Sequence, residues 1–214
     1  MLAIAGGKGG CGKTTTALGL GAALARNGER PLVVDADCDM PNLHTIAEVD
    51  RHPGVDAVAD GASIAAATHR SDRLPGVDVL PSGDASGPLG RTALRRLARA
   101  RGPVVLDCPA GATEAAAAPL RAADAAVVVS TPDPASRSDA VKTARICEPL
   151  ETTVHGTVFT RSPSQSPLQS GSDDARSLRP VLATVPPVEG DVLGSRVGRA
   201  SYDRLATALA RRNI

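Results

Sequence analysis

The sequence predicts an α/β fold, a mostly parallel β-sheet flanked by helices in a single domain over residues 1–214, on three observations. Short runs of β-branched and aliphatic residues alternate with longer Ala-, Leu- and Arg-rich segments, the pattern that strand–helix–strand units leave around a parallel sheet. A glycine-rich stretch, GGKGGCGKTT at residues 6–15, falls between the first apolar run and the first helical pattern. The length of 214 residues suits one hydrophobic core, which typically serves about 100 to 250 residues before a chain splits.

The elements follow in order. LAIA is an uninterrupted apolar run and reads as a buried strand, and a helix is expected from Lys13 to about Asn27, where NGERP stops it. PLVVDAD is the next strand, followed by an irregular stretch through MPNLH, a short helix near residues 54–60, and the strand VDVLPSG, closed by its Pro/Gly cluster. An arginine-rich helix is expected over about residues 88–101. GPVVLDCPAG reads as a strand with its loop, TEAAAAPLRAA as a helix, DAAVVVSTP as a strand and loop, and ASRSDAVKTARICEPL as a helix. HGTVFTR is a weaker strand, SPSQSPLQSGSDD has loop composition, and VLATVPPV is the last strand. A terminal helix over about residues 200–212 carries Tyr202, Leu205 and Leu209 on one face, which predicts docking on the chain's own sheet, and it ends in Arg211 and Arg212, where cations suit the helix dipole.

Composition narrows the function. Twenty-four basic against 23 acidic side chains leave no broad electrostatic field of the kind a dedicated nucleic-acid binder carries. Phe159 and Tyr202 are the only aromatic residues, so platforms for base stacking and aromatic membrane anchors are scarce. MLAIA runs straight into the glycine-rich stretch with no basic n-region and long apolar segment, so a secretory signal is not expected. The Ala-rich stretch at residues 115–129 is broken by Pro119, Arg121 and Asp124, short of the roughly 20 apolar residues a spanning helix needs. The expected location is cytoplasmic, with the membrane or the nucleoid as peripheral surfaces. Cys11, Cys38, Cys108 and Cys147 form no CxxC pair, so reduced thiols are expected.

The glycine-rich stretch carries chemistry. GKGGCGKT, Gly7 to Thr14, satisfies G-x-x-x-x-G-K-[ST] after a strand and before a helix, the context a phosphate-binding loop requires. Gly7, Gly9, Gly10 and Gly12, with the backbone of Cys11, let N–H groups turn toward phosphate oxygens while the helix N-terminus adds partial positive charge. Lys13 is placed to reach the β and γ phosphates, Thr14 offers a hydroxyl to Mg²⁺, and Thr15 offers another to an inner phosphate. Lys8 is left over. The chain holds only three lysines, Lys8, Lys13 and Lys142, and one loop has no evident use for two.

With KGGCGKT from Lys8 to Thr14, the sequence resembles the deviant Walker A ATPases, the family of MinD and ParA. The resemblance implies that Lys8 crosses a dimer interface to the nucleotide of the other subunit. VVDADCDMPNLH resembles the family's switch I region, which implies that Asp37 orients the attacking water and that Asp35 lies near the metal or the loop lysine. VVLDCPAG resembles its second nucleotide segment, implying that Asp107 holds Mg²⁺ and that Gly111 keeps a backbone N–H free for the γ-phosphate. LPGVDVLPSG and VVVSTPDPASRSDAVKTARICEPL are closer to the MinD side, and the resemblance covers residues 1 to about 150. Beyond it the chain departs: where the family places an Asn-Arg pair beside adenine, this chain has Thr160-Arg161, which leaves backbone near Pro186 and Pro187 to read the base.

The resemblance implies ATP and Mg²⁺ as cofactors and a slow, partner-stimulated ATPase. It also implies an ATP-dependent homodimer and an activating or cargo protein, acting in cell-division site placement or related localisation. A partitioning ATPase that binds DNA non-specifically is the rival. Arg91, Arg95 and Arg99 recur every four residues beside Arg96, as phosphate contacts would require, although a solvated helix face looks the same. The terminal helix lacks the large apolar residues of a membrane-targeting helix, so membrane binding is expected to be weak or absent. An iron–sulfur carrier is the remaining, weaker alternative, with no paired ligating cysteines to support it.

Overall fold

A computed structural model of the chain describes residues 1–111, 113–163, 178 and 180–212. The strands are β1 (Leu2–Gly6), β2 (Leu32–Asp35), β3 (His69–Arg70), β4 (Asp78–Leu80), β5 (Val104–Ala110), β6 (Ala125–Ser130), β7 (Thr153–Phe159) and β8 (Val181–Thr184). The helices are α1 (Lys13–Arg26), α2 (Leu43–Ala47), α3 (Val55–Ala59), α4 (Ile64–Ala67), α5 (Arg91–Leu97), α6 (Glu114–Ala122), α7 (Pro134–Cys147) and α8 (Arg196–Ala210). One eight-stranded sheet runs β3-β4-β2-β5-β1-β6-β7-β8, parallel throughout except for the short edge strand β3, which pairs antiparallel with β4.

Helices cover both faces, which is why the strands read as continuous apolar runs rather than alternating ones. Ile4, Val33, Val105 and Val127 point to the face holding α1, α2 and α8. Ala3, Val34, Leu106 and Ala126 point to the face holding α3, α5 and α6. Phe159 and Val128 form a further apolar cluster with Ala140 and Val141 of α7. The register sets Asp35 of β2 beside Asp107 of β5, and Ile4 of β1 beside Asp107, so three strand ends converge where the chain leaves the sheet.

The terminal helix docks as its apolar face demands. Tyr202, Leu205 and Leu209 are buried, and α1 makes room at Gly19, where a Cβ would stand 2.3 Å from Cδ2 of Tyr202. This helix starts earlier than its apolar pattern suggests because Ser195 caps it, accepting from the Gly198 N–H at 2.9 Å. The arginine-rich helix is shorter than expected. It begins after an extended Gly90 and ends at Leu97, so Arg99 lies past its end rather than on one face with Arg91 and Arg95. The short α2, α4 and β3 lack the periodicity that would make them legible in sequence, and they form where neighbouring elements supply the missing contacts. The Ser/Pro/Gln stretch from residue 164 onward lies outside the described residues. Among the described residues, no helix is long and apolar enough to cross a membrane.

Candidate functional site

β1 occupies the middle of the sheet and delivers the glycine loop, residues 7–12, to the end where β2 and β5 also terminate. Gly7 must be glycine because a Cβ there would stand 2.4 Å from the carbonyl oxygen of Asp139 on α7. Gly10 and Gly12 hold left-handed backbone at φ 74° and 93°, the conformation that lets successive N–H groups face one concavity. Gly12 is also the N-cap of α1 and brings no side chain to it, whereas Thr113, Asp133 and Ser195 cap α6, α7 and α8. The first-turn N–H groups of α1 therefore depend on a ligand or on water. Cys11 is buried, and burial pushes its thiol up against the opposing pull of Lys13, so it contributes backbone rather than a thiolate. Burial pushes the thiols of Cys38 and Cys108 up as well.

The two loop lysines face different surroundings. Lys13 is buried, its ammonium turned back to the Lys8 carbonyl at 3.5 Å, while the Lys8 residue is exposed at the outer edge of the loop. Thr14 and Thr15 are half-buried on the first turn of α1.

The acids at the strand ends divide into two kinds. Asp35 is fully buried and spends both oxygens on backbone, accepting from Asp37 N at 3.1 Å and Leu43 N at 3.2 Å, so it shapes the loop of residues 37–42 rather than facing a metal. Asp37 is half-buried, and its Oδ1 accepts from Met40 N at 3.1 Å. Asp107 is 1% exposed and its Oδ1 has no partner. Burial first, and then the Asp35 carboxylate, hold its pKa well above the usual carboxylate range, with Thr14 and Lys13 opposing. Burial likewise raises Asp35. The unsatisfied buried oxygen of Asp107 and the nearby Thr14 hydroxyl are oxygen donors of the kind that suit a hard divalent cation. The Thr14 hydroxyl donates to Oδ1 of Asn42 at 2.9 Å, which ties the loop after β2 to the glycine loop. The sequence showed Asn42 only as half of an Asn-Leu pair and carried no sign of that contact.

One expectation is corrected. The Gly111 N–H is not free: it donates to the Gly6 carbonyl at 3.3 Å, a long bond that the left-handed Gly111, at φ 88°, makes across the β1–β5 ends.

Beyond the glycine loop lies a cavity of about 200 Å³, lined among others by Gly12, Thr15, Thr160, Arg161, Pro186 and Tyr202. Pro186, though not Pro187, is among the residues lining this space, and so is Thr15. Thr160 and Arg161 are turned toward the glycine loop, donating to the carbonyls of Cys11 at 2.6 Å and Gly10 at 2.9 Å. Of the arginines on the other face, Arg91, Arg95 and Arg99 are exposed, whereas Arg96 is committed to the Val58 and Gly61 carbonyls at 2.6 and 3.1 Å.

This arrangement has known counterparts. The chain is 33% identical over 174 residues to an uncharacterised ATP-binding protein of Methanocaldococcus jannaschii, covering 77% of this chain and 65% of that protein. It is 40% identical over 146 residues to the chromosome partitioning protein ParA of Caulobacter vibrioides, covering 60% of this chain and 54% of ParA. The chain thus spans less than two thirds of the length of these relatives. Its fold matches that of the septum site-determining protein MinD from Pyrococcus horikoshii, solved with Mg-ADP, with a TM-score of 0.83 at 22% identity over 99% of this chain and 96% of that one. Residues 2–193, which include the glycine loop, Asp35, Asp107 and most of the cavity lining, match the CobQ/CobB/MinD/ParA nucleotide binding domain, and the chain belongs to that family.

Proposed function

We propose that the chain is an ATPase that binds Mg·ATP, dimerises with it, and returns to monomers on hydrolysis, serving as a switch in the spatial positioning of a cargo. The opposite settings of the two loop lysines carry this reading: Lys13 is buried against the loop, and Lys8 is exposed at its rim. A lysine at the outer edge is placed to meet phosphate held by a second copy, which makes dimerisation depend on the nucleotide and gives the switch the differential contact it needs.

In this reading the loop amides and Lys13 hold the β and γ phosphates, and Thr15 meets an inner phosphate. Thr14 and Asp107 would hold Mg²⁺, which supplies charge neutralisation across the phosphates when bound. Asp37 orients the attacking water from the loop that Asp35 and Asn42 anchor. Gly111 would have to release its 3.3 Å bond to Gly6 before its N–H could serve the γ-phosphate.

The test mixes two inactive variants, Lys8→Ala and Asp37→Ala. Each should bind ATP, and neither should turn it over at the wild-type rate. In a mixed dimer, one site takes Asp37 from the first subunit and the trans lysine from the second, so it is complete and part of the activity should return. The dimer mechanism fails if mixing restores nothing although heterodimers form by size exclusion, or if Lys8→Ala alone dimerises with ATP.

A further inference from the structure

The end of β7 does something that its sequence does not announce. Phe159 closes the strand, and the next two residues both reach back to the glycine loop, about 150 positions earlier in the chain. The Thr160 hydroxyl donates to the Cys11 carbonyl at 2.6 Å, and Arg161 Nη1 donates to the Gly10 carbonyl at 2.9 Å. Thr160 is 6% exposed, and its methyl sits close enough to Gly12 that a Cβ there would meet it at 3.2 Å.

The backbone at this point is strained. Arg161 adopts φ 50°, in the left-handed region that is unfavourable for a non-glycine residue. Such strain persists where surrounding structure holds it, and it clusters at ligand clamps and active sites. Here it is held from both sides: Thr160 N donates to Ser130 O at 2.8 Å, and Ser162 N donates to Val185 O at 3.0 Å. The left-handed turn lies between those two bonds, with the guanidinium on the glycine loop.

A peptide unit is rigid, so fixing the direction of a carbonyl fixes the direction of the N–H on the same plane. The Gly10 carbonyl shares its plane with the Cys11 N–H, and the Cys11 carbonyl shares its plane with the Gly12 N–H. Both N–H groups lie in the stretch expected to face phosphate. Gly9 and Gly10 have nothing within 4 Å of where a Cβ would stand, so on that side of the two planes the loop is unpacked, and the buried Cys11 and the Thr160–Arg161 pair hold it from the other.

We propose that Thr160 and Arg161 are positioning residues that clamp two peptide planes of the phosphate loop, so that the affinity for the polyphosphate of the nucleotide is set from the side of the base cavity. This rests on the nucleotide-binding reading above and deepens it. The pair does not discriminate the base; it pre-orders the loop amides, whose ordering a free loop would otherwise have to complete on binding.

The experiment uses four variants and three ligands. Thr160→Val keeps the shape and removes the hydroxyl, Thr160→Ser restores it, Arg161→Gln shortens the reach and removes the guanidinium, and Arg161→Gly also relieves the left-handed backbone. Affinities for ADP, GDP and inorganic pyrophosphate are measured by calorimetry, and amide hydrogen exchange is followed at residues 9–13 without ligand. Losing one clamp bond should weaken all three ligands about 3- to 10-fold, the scale of one net hydrogen bond, with the ADP-to-GDP ratio unchanged. Thr160→Ser should stay within twofold of wild type. Loop amides should exchange faster in Thr160→Val and Arg161→Gln. Arg161→Gly should bind pyrophosphate more weakly although its melting temperature is equal to or above wild type, which a purely structural role would not produce.

The clamp is overturned if the variants change the ADP-to-GDP ratio and leave pyrophosphate alone, because the pair then reads the base. It is also overturned if pyrophosphate binding and loop exchange are unchanged while wild type binds normally. Failure of the wild-type protein to bind any of the three ligands refutes the nucleotide-binding reading itself, and the clamp with it.

Discussion

Asp35 and Asp107 should make the nucleotide-free protein less stable at alkaline pH. They sit side by side where β2 ends against the middle of β5, both buried, and burial raises both above the ordinary carboxylate range, with the Asp35 carboxylate adding to the shift of Asp107. Around neutral pH the native state therefore holds protons that the unfolded chain, titrating near pH 4, has already released. Where the native state binds more protons, the free energy of unfolding falls as pH rises: this contribution is complete below the unfolded pKa and is lost as pH climbs through the folded one. One such proton is worth about 1.4 kcal/mol per pH unit, so the span from pH 6.5 to 8 removes at most about 2 kcal/mol for a single group. Against a total stability of about 5 to 15 kcal/mol, that is measurable. His44 and His155 act in the opposite sense, because burial lowers their pKa, but that contribution is spent by about pH 6.5, where an ordinary histidine has lost its proton.

The perturbation is Asp107→Asn, which is nearly isosteric and cannot ionise. Oδ1 of Asp107 has no hydrogen-bond partner to lose, and the amide oxygen of Asn can keep the contact with the Thr14 hydroxyl, so the main change is removal of the charge. Urea unfolding of protein freed of nucleotide and treated with chelator, at pH 6.5, 7.2 and 8.0, should show wild type losing stability across the range and the variant staying flatter. At pH 8 the variant should be the more stable by about 1 to 2 kcal/mol, and it should lose any tightening of ATP-analogue binding by Mg²⁺. A wild-type stability that is flat or rising over this range, or a variant less stable than wild type at pH 8, would refute the reasoning.

Three further outcomes are expected. Lys13→Ala should abolish binding of a fluorescent ATP analogue and leave the circular dichroism spectrum unchanged, since the one hydrogen bond of its ammonium among the described residues is the long 3.5 Å contact to the Lys8 carbonyl. Gly19→Ala should cost about 1 to 3 kcal/mol in urea unfolding despite the better helix propensity of alanine, because the added methyl collides with the Tyr202 ring between α1 and α8. Arg91→Glu combined with Arg95→Glu should leave stability within about 0.5 kcal/mol and abolish any salt-sensitive DNA gel shift, whereas Arg96→Ala should cost about 1 to 2 kcal/mol through the lost bonds to Val58 and Gly61.

Both the glycine loop and the succession of the longer strands along the chain were legible because their causes are local, whereas their order in the sheet was not. A loop that must present N–H groups needs glycines at set intervals next to a lysine, and a strand buried on both faces needs an unbroken apolar run. What escaped has causes distant in sequence. Three elements of five residues or fewer, α2, α4 and β3, owe their form to neighbours rather than to their own periodicity. Arg96 looks like Arg91 and Arg95 in the sequence, and only the position of α3 turns it inward.

The same holds inside the site, where identical residue types take different roles. Asp35 and Asp107 both close an apolar run in the sequence, LVVD and VVLD, and no local pattern separates them. The chain after β2 folds back so that the N–H groups of Asp37 and Leu43 fall on Asp35, which spends that carboxylate on the loop. The chain after β5 offers no such return to Oδ1 of Asp107, and that leaves an oxygen with nothing to accept. A buried acceptor left without a partner costs about 1 to 3 kcal/mol. That oxygen is the one that the Mg²⁺ of the proposed function would take. The distinction between a carboxylate that holds a loop and one that can hold a ligand therefore lies in where the following backbone goes, and it becomes visible only when every donor around each acid has been placed.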